Sequence, residues 1–448
     1  VKPVWSVVIF IVLWTWVNRF VVWPLLRLLA LVSDRIRDQI GCRNGHLEVV
    51  RGLALLRQQF RKCVVFFCSS AGEYEQAMPL IEKFSSDTNI FCHVFFFSVS
   101  GARFVQSRND VVSWSMSPVD DAERWGELFA ALRPDRTFIV RHELWPSFLW
   151  AARCQAPVFV INAVVPSLVG RQSKWRERVG LAIKSRLLRS VDHVFAVSKY
   201  DSDFFMRCLH IPNRKITVSG DTKYDRVLDR ALAKKSAVEE LRRDFSDIWS
   251  PPECNQTLIG GSVHLPDVEW LLAVLSDKSL IRWKLLLVPH DVSTRNVGRI
   301  YSAVKSRGFS VELLSDIERA QATTKFMHPR VLIADEMGRL SELYGLADVA
   351  WVGGAVHNKV HNVLEPAARG LPVLCGPRYQ NSQEAVKMCE NGALSVAESS
   401  DHLLSQLSIL LKNPAQSGAK SLDFAKSMTG ATNKIFSALD RIDREVGR

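Results

Sequence analysis

The chain has no Cys-x-x-Cys pair, no basic run interleaved with aromatics, no low-complexity segment and no internal repeat beyond an alternation of strand and helix patterns. Each absence removes a class of protein. Nine cysteines, at 42, 63, 68, 92, 154, 208, 254, 375 and 389, are an odd number, and Cys68 and Cys375 sit inside apolar runs. They read as free thiols of a reducing compartment rather than as a disulfide frame or zinc site. Without zinc-finger spacing or an RNP-like pattern, nucleic acid is not an expected partner. The second half also lacks a DxD-like motif, so no metal ligands are expected.

What is present is ordinary globular composition, 47% hydrophobic and 23% charged over 448 residues, enough for two domains with full cores. The charge of +12 is uneven. Residues 1–62 carry ten Lys or Arg against three Asp or Glu, a net +7; residues 171–189 carry a net +6; the remainder sums to −1. Basicity gathered in the first half points to an anionic partner there, such as anionic membrane lipid.

The N-terminus is apolar from 4 to 17, is interrupted by Asn18-Arg19, and continues as FVVWPLLRLLALV to Val32. A spanning helix needs about 20 apolar residues. Two arrangements fit: one tilted span whose arginine snorkels, or a shorter anchor followed by an interfacial helix. Trp5, Trp14, Trp16 and Trp23 favour interfacial contact, and the basic residues that follow predict that the rest of the chain is cytoplasmic.

Short apolar runs then alternate with helical patterns. The first series is 64–67, 93–98, 137–140, 157–162, 193–197 and 215–220; the second is 257–262, 284–289, 331–335, 349–354 and 372–377. Such runs are buried parallel strands. The fold class is therefore α/β: two doubly wound Rossmann-like domains facing a cleft, behind an N-terminal anchor helix. Expected boundaries are 1–40 for the anchor, 41–228 for the first domain, 229–256 for a linker, 257–415 for the second domain and 416–448 for a C-terminal helix. Within 171–189, Trp175, Val179, Ile183 and Leu187 recur every four residues, with Arg171, Lys174, Arg178 and Lys184 on other faces, the pattern of a basic amphipathic helix.

In the stretch 335–379, ADVAWV ends in Gly353-Gly354, where missing side chains let a backbone approach a ligand, and a short helix is expected to begin near Asn362. Glu365 can reach a ribose diol, or it can close a capping box on Asn362. The segments SSAGEYEQAMPLIE (69–82), RHELWPSFL (141–149), GDTKYD (220–225), GSVHLPDVE (261–269), VPHD (288–291), DEMGRLSELY (335–344) and HNVLEP (361–366), taken in this order, resemble the 3-deoxy-D-manno-octulosonic acid (Kdo) transferases over almost the whole chain.

That resemblance implies a glycosyltransferase B architecture and an inverting, metal-independent transfer of Kdo from CMP-Kdo to a lipid A precursor at the cytoplasmic face of the inner membrane. No cofactor is implied beyond the CMP-Kdo donor. The alternatives are another nucleotide-sugar-dependent lipid glycosyltransferase and a catalytically retired binding protein. The reaction calls for a base and an anion clamp. The resemblance puts Asp38, of DQIG at 38–41, where the family has a glutamate base, and offers Glu73 as a second catalytic carboxylate. Ser69, Ser70, Gly72, Arg141 and Glu143 are the acceptor-binding candidates. Lys223, Gly261, Ser262, His264, Pro289, His290, Met337, Gly338, Gly353, Gly354, Asn362 and Glu365 are the donor-binding candidates. The chain departs from the family pattern at Phe67, Arg141 and Val164, and has His290-Asp291 where Arg-His is commoner.

Overall fold

The computed structural model describes residues 5–43, 45–106, 113–141, 143–165, 175–233, 239, 242, 245, 249, 254–321 and 328–447. The chain divides into two compact units, Val1–Arg226 with Gly430–Arg448, and Val227–Thr429.

The first unit is built on seven parallel strands: β1 (Lys62–Cys68), β2 (Ile90–Phe96), β3 (Ser113–Met116), β4 (Arg136–Val140), β5 (Val158–Ala163), β6 (His193–Ala196) and β7 (Ile216–Val218), in the order β3-β2-β1-β4-β5-β6-β7. Runs such as VVFF and VFVIN are β-branched and aromatic, and almost every residue of β1, β4 and β5 is buried, as expected of strands covered on both faces. One face packs Phe67, Phe95, Trp125, Phe129 and Phe148 together; the other packs Phe66, Phe84 and Phe138 against Ile435, Ala438 and Leu439 of the last helix, Ala431–Val446. The return of the chain into this unit is fixed by Asp225, whose carboxylate accepts from the backbone N–H of Gly430 and Thr432, each at 2.6 Å.

The second unit repeats the plan with β8 (Gln256–Val263), β9 (Trp283–Pro289), β10 (Val311–Leu313), β11 (Val331–Ile333), β12 (Val349–Val352), β13 (Val373–Cys375) and β14 (Ser395–Val396), ordered β10-β11-β9-β8-β12-β13-β14. The fold class expected from the apolar runs is thus present in both units. The stretch 229–256, expected as a linker, supplies Phe245 and Trp249 to this unit's core beside Ile259 and Leu286. The Trp249 indole donates to Pro329 O at 2.8 Å, so the aromatic ring has a structural partner as well as apolar neighbours.

The N-terminal segment is helical over Trp5–Val17 and Trp23–Leu29, joined by a π-helical turn at Asn18–Val22. The widened turn falls where Asn18-Arg19 interrupts the apolar run, and Asn18 donates back to Trp14 O at 2.9 Å. Arg19 turns toward the domain, bonding Asp121 at 2.9 Å and Glu123 at 2.8 Å, while the Trp14 indole donates to Asp120 at 2.6 Å. One side of the helix is thereby fastened. The rest, including Val12, Leu13, Trp16, Phe20, Val21, Leu25 and Leu28, is exposed. Among the described residues, one helix, Phe10–Leu29, is long and apolar enough to cross a membrane, with 11% of it buried.

The basic helix expected over 171–189 is present as Trp175–Ser190. Arg171 and Lys174 lie outside the described residues, as do the side chains of Trp175, Arg178 and Val179. Of the expected apolar stripe, Ile183 is exposed and Leu187 partly packed, while the neighbouring Leu188 enters the core.

His93 and His193 lie in this first sheet, bonded to Ser113, Ser115 and Thr217 hydroxyls, and burial pushes them down to about 3 and about 4. Both are therefore neutral in the folded chain and bind a proton more tightly when unfolded, near pH 6.5. Their stability contribution is complete above that value and is lost as pH falls toward the folded values, amounting to about 2 kcal/mol for each at pH 5. A thermal-midpoint series from pH 7.5 to 5 should fall, and His93→Gln should flatten it; an unchanged slope in the variant would contradict the assignment.

Candidate functional site

Ligands of doubly wound sheets gather at the carboxyl ends of the strands. In the first unit, β1 leaves the sheet at Ser69-Ser70 and turns into helix Ala71–Ser85. Ser70 caps that helix, its Oγ accepting from Glu73 N at 3.4 Å, while the Glu73 carboxylate accepts from Ser69 N at 2.5 Å. Glu73 is 8% exposed. Burial pushes its carboxyl above the ordinary range and nearby Glu143 adds to this, while the Ser69 hydrogen bonds and Arg141 pull the other way. Gly72 is exposed, and a Cβ there would meet only Ser70 Oγ at 3.9 Å. The space beside the turn is open.

Arg141 leaves β4 with φ 65° and donates to Gln76 Oε1 at 3.0 Å; Asn162, the penultimate residue of β5, has φ 53°. Asn162 and Thr222 exchange two bonds, at 2.7 and 3.1 Å, and the Thr222 hydroxyl donates to Gln76 O at 2.5 Å. Non-glycine residues in the left-handed region cost about 1–3 kcal/mol each and persist where their surroundings over-determine them, as this buried amide–hydroxyl network does. Lys223 follows, with its backbone N–H on Asp221 at 2.8 Å and its ammonium 5.5 Å from the Tyr224 ring centre.

Asp38 lies on helix Asp34–Gly41, is exposed, and pairs with Arg103 at 3.1 Å, whereas Arg37 pairs with Asp34. Arg43 donates to Phe97 O at 2.5 Å, and Ser98 N donates to Ser69 O at 3.0 Å. These bonds fasten the N-terminal helical segment to the exits of β1 and β2, bringing Asp38 to the same edge as the Ser69–Glu73 turn.

In the second unit, the exits of β8, β9 and β12 converge. Asp267, fully buried on helix Leu265–Leu275, accepts from His264 N at 2.9 Å, Gly354 N at 3.0 Å and the Trp351 indole at 3.3 Å. His290 N donates to Val263 O at 3.0 Å. Ser262 has φ 52° at an irregularity in the β8–β9 register. The imidazoles of His264 and His361 approach to 3.2 Å, and the His290 ring stacks on His361 at 4.3 Å between centroids. Burial, and then the neighbouring imidazoles, lower His264 and push His361 down to about 4. Pro289 is buried, whereas Met337 is 75% exposed beside Gly338 at φ 90°.

Three glycine positions have a different occupant from the one expected. A Cβ on Gly353 would lie 2.5 Å from Ser262 O, one on Gly354 2.3 Å from Lys359 O, and one on Gly261 2.1 Å from the Tyr344 hydroxyl. The chain itself fills the space that the sequence pattern reserved for a ligand. The short helix begins at Leu364, two residues later than expected, and ends at Ala368. Asn362 Oδ1 accepts from Leu364 N at 3.1 Å and its amide donates to Glu365 at 3.0 Å, so the side chains pair without forming a capping box. Five residues align few peptide dipoles, which weakens the expected anion clamp at this helix.

Residues 42–226 match the family described as 3-deoxy-D-manno-octulosonic-acid transferase (kdotransferase). The Kdo transferase of Chlamydia pneumoniae is 26% identical over 399 residues, covering 84% of this chain and 84% of that relative. That of Haemophilus influenzae is 26% identical over 363 residues, covering 78% and 79%. The chain is similar to the Kdo transferases over most of its length. The solved UDP-GlcNAc 2-epimerase of Neisseria meningitidis bound to UDP-GlcNAc superposes with a TM-score of 0.57 at 14% identity, covering 85% of this chain and all of that one, a likeness of fold. The architecture is of the glycosyltransferase B type, and the protein is a glycosyltransferase.

Local sequence patterns do not register Gln76, Thr222 and Asp267. Their work is in contacts with residues distant in sequence; the one available signal was the acidic residue three positions after His264, at a helix start. The open space at Gly72 gives a test. Gly72→Leu should leave the thermal midpoint essentially unchanged and raise KM for the acceptor roughly tenfold or more; an unaltered KM would remove the Ser69–Glu73 turn from the acceptor site.

Proposed function

We propose that this transferase moves Kdo from CMP-Kdo to a lipid A precursor with inversion at the sugar carbon. The observation that carries the reading is the fastening of the N-terminal helical segment to the carboxyl edge of the first sheet. It pairs Asp38 with Arg103, on the helix that follows β2, while leaving a row of large apolar side chains, from Val12 to Val32, exposed. An enzyme acting on a lipid needs a basic and polar edge next to a surface that enters the bilayer.

The Arg19 pairs with Asp121 and Glu123 favour a helix lying in the interface over an upright span, because they would place three charges at mid-helix depth. A groove of about 430 Å³ between this helix and Ala122, Glu123 and Trp150, lined also by Ile11, Thr15 and Phe20, suits an acyl chain. The basic residues of the first 62 positions suit anionic lipid and the phosphates of the acceptor, on the cytoplasmic side of the inner membrane.

In this reading Asp38, open to solvent and therefore to an entering acceptor, takes the proton of the attacking hydroxyl. Attack on the sugar carbon from the opposite face expels CMP, which inverts the centre. Glu73, held by Ser69 and with an elevated carboxyl, orients the acceptor together with Ser70, Arg141 and Glu143. The donor lies on the strand exits of the second unit, where Ser262, His264, His290 and the Gly353–Asn362 loop present hydroxyl, imidazole and backbone N–H groups to the phosphate, and Glu365 meets the ribose.

Incubation of the full chain with CMP-Kdo and a tetraacylated lipid A precursor, followed by mass spectrometry of the lipid, should show a mass increase of Kdo with release of CMP. Asp38→Asn should lower kcat by about 10²–10⁴-fold with the fold retained. Transfer from a UDP-sugar instead would favour another lipid glycosyltransferase. CMP binding without turnover would favour a retired enzyme.

A further inference from the structure

The second unit brings together three imidazoles from three separate strand exits: His264 after β8, His290 after β9 and His361 in the loop after β12. Their ligand nitrogens all lie within 4.8 Å of one another. We propose that His264, His290 and His361 form a binding site for a divalent transition-metal ion of the zinc class.

The spacing is that of a coordination shell. Metal–nitrogen bonds of roughly 2.0–2.1 Å at the tetrahedral angle set ligand nitrogens about 3.3 Å apart. The Nε2 atoms of His264 and His361 stand at 3.2 Å. His290, the third member, is exposed, and its ligand nitrogen lies within 4.8 Å of the other two.

The rings are also held in advance. His264 N is bonded to Asp267, His290 N to Val263 O and His361 N to Gly353 O at 3.2 Å, so each ligand's backbone is tied to the same group of loops. Gly354 makes room for the cluster: its φ is +94°, and a Cβ there would stand 2.9 Å from His361 Cδ2 and 3.0 Å from Nε2. The ring of His357 borders the cluster, 4.8 Å from that of His264. A ligand set made of imidazole alone, with no carboxylate, selects zinc, cobalt, nickel or copper over magnesium or calcium. Three protein ligands leave one tetrahedral position open to water or an anion. No DxD-like sequence announces this site, because its members come from distant loops.

The test uses the full-length protein, without a polyhistidine tag, stripped of metal by chelation and dialysis. Titration with Co2+ should give the strong visible absorption of a four-coordinate, nitrogen-bound ion, saturating at one equivalent, and Zn2+ should displace it. The His290→Ala and His361→Ala double variant, with its fold checked by circular dichroism, should lose that saturation, whereas His328→Ala, an exposed histidine of the same unit, should retain it. Gly354→Ala should weaken binding at least tenfold by displacing the His361 ring. Absence of saturable binding, or equal binding by the double variant, would overturn the proposal. The readout needs neither donor nor acceptor, so it stands or falls separately from the proposed transfer reaction.

Discussion

A buried carboxylate that must satisfy three donors organises the second unit. Asp267 has no exposure, and such a charge is costly unless it is fully hydrogen-bonded. Its bonds to His264 N, Gly354 N and the Trp351 indole meet that requirement and tie the exit of β8 to the turn after β12. With those two loops fixed, Gly353 and Gly354 can pass within contact of Ser262, Val263 and His361, where no Cβ fits. Ser262 and the close approach of His264 to His361 both lie at that tie.

The first unit reaches the same end through amides, a hydroxyl and one guanidinium. Gln76 joins Arg141 to Thr222, and Thr222 joins Gln76 to Asn162, so the exits of β4 and β5 are held through a helix that starts at β1. The positive φ values of Arg141, Asn162 and Ser262 all fall at strand exits. The other two non-glycine residues of positive φ among those described, Arg133 and His210, follow helices. The exposed Gly72 is the opposite case. A Cβ there would meet only Ser70 Oγ, at 3.9 Å, so no contact among the described residues requires a glycine.

Most of the architecture was legible because a strand covered on both faces must be a continuous apolar run, as VVFF, VFVIN and KLLLVP are. Three of the four edge strands were not. β3 (SWSM), β10 (VEL) and β14 (SV) are short, and edge positions do not demand apolar residues on both faces. The candidate site was legible in location but less so in detail. The motifs fall at strand exits, yet Gly353 and Gly354 admit the chain's own backbone, and the helix after Asn362 is only five residues long. Gln76, Thr222 and Asp267 act across long sequence separations that local patterns do not register. Arg19 is a further instance: its interruption of an apolar run was visible, but its partners Asp121 and Glu123 were not.

The proposed transfer requires that a cytidine nucleotide be received at the strand exits of the second unit. Hydrogen–deuterium exchange of the full chain with and without CMP tests this most directly. Added protection is predicted in the segments 261–264, 289–291 and 353–365, with the first unit's strand exits unchanged. Protection confined to the first unit, or to segments away from those exits, would contradict it.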